Sequence, residues 1–150
     1  MSTDNITNVD ESIGTEERME ADETSTGLDP NVAGALSYVL GIITGLVFFV
    51  LEDENEFVRF HAAQSIVFSV AVFAVSIVFS LLGALLPILF IGDAFATGGL
   101  LTGLLGLVFG LGSLVVTLAF FVAWVYLMFR AFQGKRTKLP VVGSFAERLV

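Results

Sequence analysis

Residues Asn31 to Leu51 read NVAGALSYVLGIITGLVFFVL, a run of 21 residues with no charged side chain. At about 1.5 Å of rise per residue, a helix of this length matches the roughly 30 Å hydrocarbon core of a bilayer, so the run reads as a first membrane span. Its flanks agree with a helix. Asp29 stands where an N-cap belongs, and Pro30 takes the first helical position, where a missing N–H leaves no bond unmade. On the other side Glu52-Asp53-Glu54-Asn55-Glu56 belongs in water.

Two more apolar blocks follow. Phe57 to Ile91 is too long for one perpendicular span. Its first part, Phe57 to Ser65, carries Arg59, His61 and Gln64 and fits the membrane interface, which leaves residues 66–90 to cross. Pro87 weakens the far end of that helix. The stretch Gly92 to Gly99 is short and polar enough to turn at the opposite surface, and residues 100–132 form the third block. Gly110-Leu111-Gly112-Ser113 is a potential break there, but the piece before it is too short to span, which favours one tilted or kinked helix. The expected fold is all-α: an integral membrane bundle of about three transmembrane helices over 31–51, 66–90 and 100–132, with four spans as the alternative.

Composition supports two solvents. The chain is 55% hydrophobic with a mean hydropathy of +0.88, more apolar surface than a soluble domain of 150 residues hides. Charge is segregated: residues 1–30 hold nine carboxylates against Arg18, whereas from Leu81 to Phe129 only Asp93 is charged. Residues 1–27 lack periodicity and predict a disordered acidic tail ahead of a membrane domain over 28–150. That tail has neither the basic nor the apolar region of a secretory signal, so the first span is expected to direct its own insertion. The net charge of −8 argues against nucleic acid as a partner. The basic cluster from Arg130 to Lys138 predicts a multi-pass protein of the cell membrane with a cytoplasmic C-terminus, and three spans then put the N-terminal tail outside.

Small residues fall in stripes. Gly34, Ser37, Gly41, Thr44 and Gly45 share one arc of the first span, with Gly41 and Gly45 in GxxxG spacing. On the second helix Ser65, Ser69 and Ser76 repeat the pattern less cleanly, interrupted by Val72 and Phe73, and on the third Gly103, Gly106 and Gly110 line up without a gap. Lipid supplies no hydrophobic force between helices, so close backbone approach and hydroxyl bonds have to hold them, and small residues permit both. A hydroxyl-lined polar pathway is the functional alternative; each hydroxyl can instead bond its own helix.

Catalytic chemistry has little to work with. There is no cysteine, one histidine, and no Ser/His/Asp set, HExxH or P-loop, so the expectation is a protein that is not an enzyme. No ionisable group lies at the expected middle of a span, which counts against an ion-coupled pump. His61 beside Arg59 suggests pH sensing, but a histidine solvated at the interface is the plainer reading. The Glu52 to Glu56 loop lacks the glycine-containing spacing of a calcium loop, so no metal and no cofactor is expected. Trp124 and Tyr126 read as interface anchors, and Ser144 as the cap of a short helix carrying Phe145 and Leu149 on one face.

The stretch EDENEFVRFHAAQS from Glu52 to Ser65 resembles the acidic linker and F-V-x-F-H-A-x-Q-S leading helix of an archaeal and bacterial membrane-protein family, domain of unknown function 4870. The marks are Glu56, Phe57, Val58, Phe60, His61, Ala62, Gln64 and Ser65, with Gly134, Pro140 and Gly143 in a closing element. That family is distantly similar to a twenty-kilodalton component of the chloroplast inner-envelope import machinery, usually described with four spans. The resemblance implies a small multi-span protein, and by remote similarity a part in moving or assembling membrane proteins. The expected role is a non-catalytic subunit or accessory factor, with a passive channel or transporter formed by self-association as the alternative. Its expected partners are the lipid bilayer and itself or another membrane protein.

Overall fold

The computed structural model describes residues 24–137, 142–146 and 148. Most of the acidic tail, and Lys138, Pro140 and Leu149, lie outside the described residues. The regular elements are all helical: α1 (Pro30–Leu36), α2 (Ile42–Leu51), α3 (Glu56–Leu89), α4 (Ile91–Ala96), α5 (Leu100–Phe132) and α6 (Val142–Ala146). They form two compact units, one comprising the chain up to Val67 together with Leu127 onward, the other Phe68–Tyr126.

In the first unit, the run read as one span is two helices. α1 and α2 are separated at residues 37–41, where Gly41 adopts φ 59°, a left-handed conformation that suits a residue without Cβ. The chain then folds back. The Ser25 N–H donates to both Glu52 carboxylate oxygens at 3.0 and 3.1 Å, and the Ser25 hydroxyl to Oε1 at 3.1 Å, so the start of α1 and the end of α2 meet. At about 10 and 15 Å, neither helix reaches across a core of about 30 Å. The expected continuous helix over 31–51 is thus a helical hairpin.

Its turn is held by side chains. Thr44 Oγ1 accepts from the Leu40 N–H at 3.1 Å and donates to the Ser37 carbonyl at 3.0 Å, while Ser65 Oγ donates to the Gly41 carbonyl at 3.1 Å. Irregular backbone among apolar surroundings is tolerated where protein groups satisfy it, and these three bonds do so. Described structure also begins before the boundary expected at Leu28, because Ser25 is tied to Glu52.

α3 starts at a cap the sequence reading passed over: Asn55 Oδ1 accepts from the N–H groups of Phe57 at 3.1 Å and Val58 at 3.2 Å. The helix ends two residues after Pro87. α5 runs unbroken through Gly110 to Ser113, as expected. α6 begins at Val142, so Ser144 sits inside it rather than at its cap; Ala146 packs with Phe60 and Ala63 beside Phe49.

In the second unit α3 and α5 pair antiparallel through rings, Phe68 with Phe120 at 6.0 Å and Phe79 with Phe109 at 5.6 Å. Gly83 admits the Phe109 ring; a Cβ there would stand 3.2 Å from Phe109 Cε1. Many apolar side chains point outward, among them Phe73, Leu81, Ile88, Val108, Val115 and Val122. Helices apolar on every side that bury almost none of that surface against each other require an apolar solvent. At about 50 Å each, α3 and α5 are long enough to cross a bilayer. The chain is a helical membrane bundle.

The stretch 92–99, expected as a plain turn, is helical up to Ala96, as most of α4. Gly98 and Gly99 follow it at φ 68° and 82°. Asp93 holds this link: its carboxylate accepts from the Thr97 hydroxyl, and from the Thr102 N–H at 2.9 Å and hydroxyl at 3.1 Å. These bonds favour the ionised form, Thr97 first, and hold the Asp93 carboxyl below the usual carboxylate range. The stabilisation is therefore present above the ordinary carboxylate range and is lost as pH falls through the lowered value. An NMR titration of the Asp93 carboxyl carbon in micelles should give a depressed midpoint that rises in Thr97→Val. An unchanged midpoint in that variant would rule the hydroxyl out as the cause.

Candidate functional site

The first turns of α3 are covered on all sides. Every residue from Phe60 to Ser65 is buried, although the segment includes a histidine, a glutamine and a serine. Helical spacing puts His61 and Gln64 on neighbouring positions, one turn apart, facing Tyr38 in the hairpin turn. Gln64 Nε2 donates to the Thr137 carbonyl at 3.1 Å, and its Oε1 accepts from the Tyr38 hydroxyl at 3.1 Å. With that proton committed to Gln64, the phenol oxygen accepts from Nδ1–H of His61, 3.1 Å away. A chain of bonds thus joins α3 to the hairpin and to the segment after α5.

The ring of His61 is packed by aromatic neighbours. Phe57 lies 4.5 Å away, Phe60 5.3 Å edge-on and Tyr38 5.9 Å edge-on. Nε2, the remaining ring nitrogen, is buried beside the Lys135 backbone. The solvated interfacial histidine of the sequence reading is therefore corrected to a buried one: the hairpin, absent from that reading, takes the place of water.

The acidic loop divides in the same way. Glu52 is fully buried, bonded to Ser25 and to the Asn55 N–H at 3.0 Å, and Asn55 is buried with it. Asp53, Glu54 and Glu56 face solvent as expected. Arg59 Nη1 donates to the Glu52 carbonyl at 3.1 Å, pairs with Asp53 at 3.6 Å, and lies over the Phe49 ring. The Arg136–Glu56 pair at 3.3 Å is exposed on both sides and contributes on the order of 0–1 kcal/mol. Its value is positional, since it marks where the basic segment lies.

The marks of the resemblance gather in this unit. Val58, Phe60, His61, Ala62, Gln64 and Ser65 are buried, Phe57 covers the His61 ring, and Glu56 pairs with Arg136. Gly134 turns at φ 69° against the Asn31 side chain, and Gly143 is buried in α6; Pro140 lies outside the described residues. The stripes part company. Gly34 meets Phe57 and His61, and Gly45 meets Ala62 and Ile66, so both halves of the hairpin lie on α3. Ser69 is half-buried, and Ser76 is exposed and bonded to its own Val72 carbonyl. On α5 nothing stands within 4 Å of a Cβ added at Gly103, Gly106 or Gly110.

Sequence reasoning missed Tyr38, Ser25 and Thr137, and gave Glu52 to water. Only Asn55 had a readable signal, a capping residue directly before an apolar helix. Chemically, Tyr38, His61, Gln64 and Thr137 are linked by hydrogen bonds, while Asn55 lines an open depression with Asn31, Glu54, Glu56 and Arg136. Among the described residues no group of three or more His, Cys, Asp or Glu is placed to hold a metal ion.

Relatives of known sequence share this plan's extent. A UPF0132 membrane protein of Methanocaldococcus jannaschii is 39% identical over 126 residues, covering 84% of this chain and 93% of its own. A second from the same organism is 34% identical over 81% of this chain and 71% of its own, and one from Archaeoglobus fulgidus is 35% identical over 80% and 94%. No solved structure matches the chain. The expectation of a membrane-protein family without an assigned activity is met at that level. The matched family region, residues 27–146, starts beside the Ser25–Glu52 contact and ends with α6, and on that match the chain belongs to the magnetosome magnetite crystal formation protein family.

Proposed function

We propose that this protein is a non-catalytic accessory factor or subunit of a larger membrane assembly, multi-pass in the cell membrane with its C-terminal segment in the cytoplasm. The observation that carries this is how the polar groups are spent. His61, Tyr38, Gln64, Glu52 and Asn55 all hold the hairpin, α3 and the C-terminal segment together, which supports a scaffold rather than a reaction centre. A second observation supports one face for such an assembly. The α5 face of Gly106, Gly110, Ser113 and Thr117 is an open groove, and in lipid such a face gains most by admitting another helix closely.

The family description speaks of crystal formation, and such a process supports a role alongside other components. The resemblance of Glu52 to Ser65 to a family distantly similar to an import component favours, by that remote similarity alone, the narrower reading of a part in moving or assembling membrane proteins. A polar pathway through a self-associated pore has less support, because Ser76, Ser113 and Thr117 each donate to a carbonyl of their own helix.

Crosslinking in native membranes tests the proposal. A stoichiometric partner should be captured by the native chain and lost in Gly106→Leu and Gly110→Leu. Solute flux through liposomes holding the purified chain alone, with no such partner, would overturn it in favour of the channel.

A further inference from the structure

We infer that the chain enters and leaves the membrane on one and the same side, with residues 30–51 forming a re-entrant hairpin that dips into the bilayer and returns. The first ground is length: α1 and α2 are too short to cross, and they are antiparallel because Ser25 and Glu52 are in direct contact. The second is surface. Leu40, Ile43, Leu46, Val47 and Val50 are exposed on the hairpin, and only an apolar medium suits them. The third is that its turn carries its own hydrogen bonds, as a turn among lipid tails must.

The consequence is a single polar face. Glu56 pairs with Arg136, and Gly134 lies against Asn31, so the start of α1, the acidic loop and the basic segment after α5 stand together. Crossing is left to α3 and α5, an even number. The positive-inside rule, applied to Arg130, Lys135 and Arg136, then places all three segments in the cytoplasm. The expectation that the N-terminal tail lies outside rested on 31–51 crossing.

The chain has no cysteine, so single cysteines at Leu28, Leu40, Glu54, Ala96 and Gln133 report cleanly. An impermeant maleimide applied to sealed vesicles of either orientation should label Leu28, Glu54 and Gln133 from the cytoplasmic side and Ala96 from the other. The Leu40 position, at the hairpin tip, should be protected from both. Labelling of Leu28 and Glu54 from opposite sides, or of Leu40 from the side that reaches Ala96, would overturn the inference. A second measurement works without sidedness: a short bifunctional maleimide should join cysteines at Ser25 and Asp53 within one chain in native membranes. Free reactivity of both cysteines without that link would likewise sink it.

Discussion

Gly45→Leu should destabilise the protein strongly in mild detergent, whereas Gly110→Leu should leave it as stable as the native chain or slightly more so. Both changes place the same side chain on a helical glycine, so hydrophobicity and helix propensity move together, and only the surroundings differ. A Cβ at Gly45 would stand 3.0 Å from Ile66 Cγ1, 3.1 Å from the Ala62 carbonyl oxygen and 3.3 Å from the Ile66 nitrogen. Two of those three atoms are α3 backbone, which cannot swing aside. The rest of a leucine has to part α2 from α3 and stretch the Ser65–Gly41 bond behind it. Overpacking of this kind costs about 1–3 kcal/mol, and the loss of the hairpin's seat on α3 puts Gly45→Leu at the upper end.

At Gly110 nothing stands within 4 Å, and replacing a helical glycine gains up to about 1 kcal/mol. Gly34→Leu should fall between, because the atom it meets at 2.8 Å is the far edge of the Phe57 ring. Ile42→Leu and Ile43→Leu, both exposed, should stay within about 0.5 kcal/mol of native. Unfolding followed by circular dichroism in one detergent ranks all five. Equal losses at Gly45 and Gly110 would show that the hairpin does not sit on α3.

How much of this was legible follows from the range of the interactions. Apolar length and segregated charge speak for the lipid solvent residue by residue, which is why α5 could be bounded at 100–132 from the sequence. The hairpin could not be read in that way. A 21-residue apolar run has the length of a span whether or not it bends, and the residues that bend it, Gly41 and Thr44, are also ordinary members of a small-residue stripe. What decides between the two is Glu52, whose carboxylate meets a partner 27 residues away. The same holds for the buried cluster: Tyr38 meets His61 and Gln64 across 23 and 26 residues, and Gln64 meets Thr137 across 73. No local period signals such pairs. The motif from Phe57 to Ser65 marked the place, but a histidine next to an arginine and an acidic loop looks solvated until the hairpin is laid over it.

Tyr38→Phe isolates that cluster, because it removes one oxygen and almost no volume. The phenol oxygen accepts from His61 and donates to Gln64, so its loss leaves two buried polar groups without their partner. The cost should be about 1–3 kcal/mol, the penalty for an unsatisfied buried group. Gln64→Leu should cost a similar amount, by removing the Gln64 partner of the Tyr38 hydroxyl and of the Thr137 carbonyl, and it should do one thing more. The segment after α5 loses its tether, so a cysteine at Gln133 should react faster in Gln64→Leu than in Tyr38→Phe. In the double variant the Tyr38–Gln64 bond is removed once rather than twice. Its loss of stability should therefore fall short of the sum of the single losses by about 0.5–3 kcal/mol. If the two losses simply add, the groups do not act through one another, and the bond chain from His61 to Thr137 is not what joins hairpin, α3 and C-terminal segment.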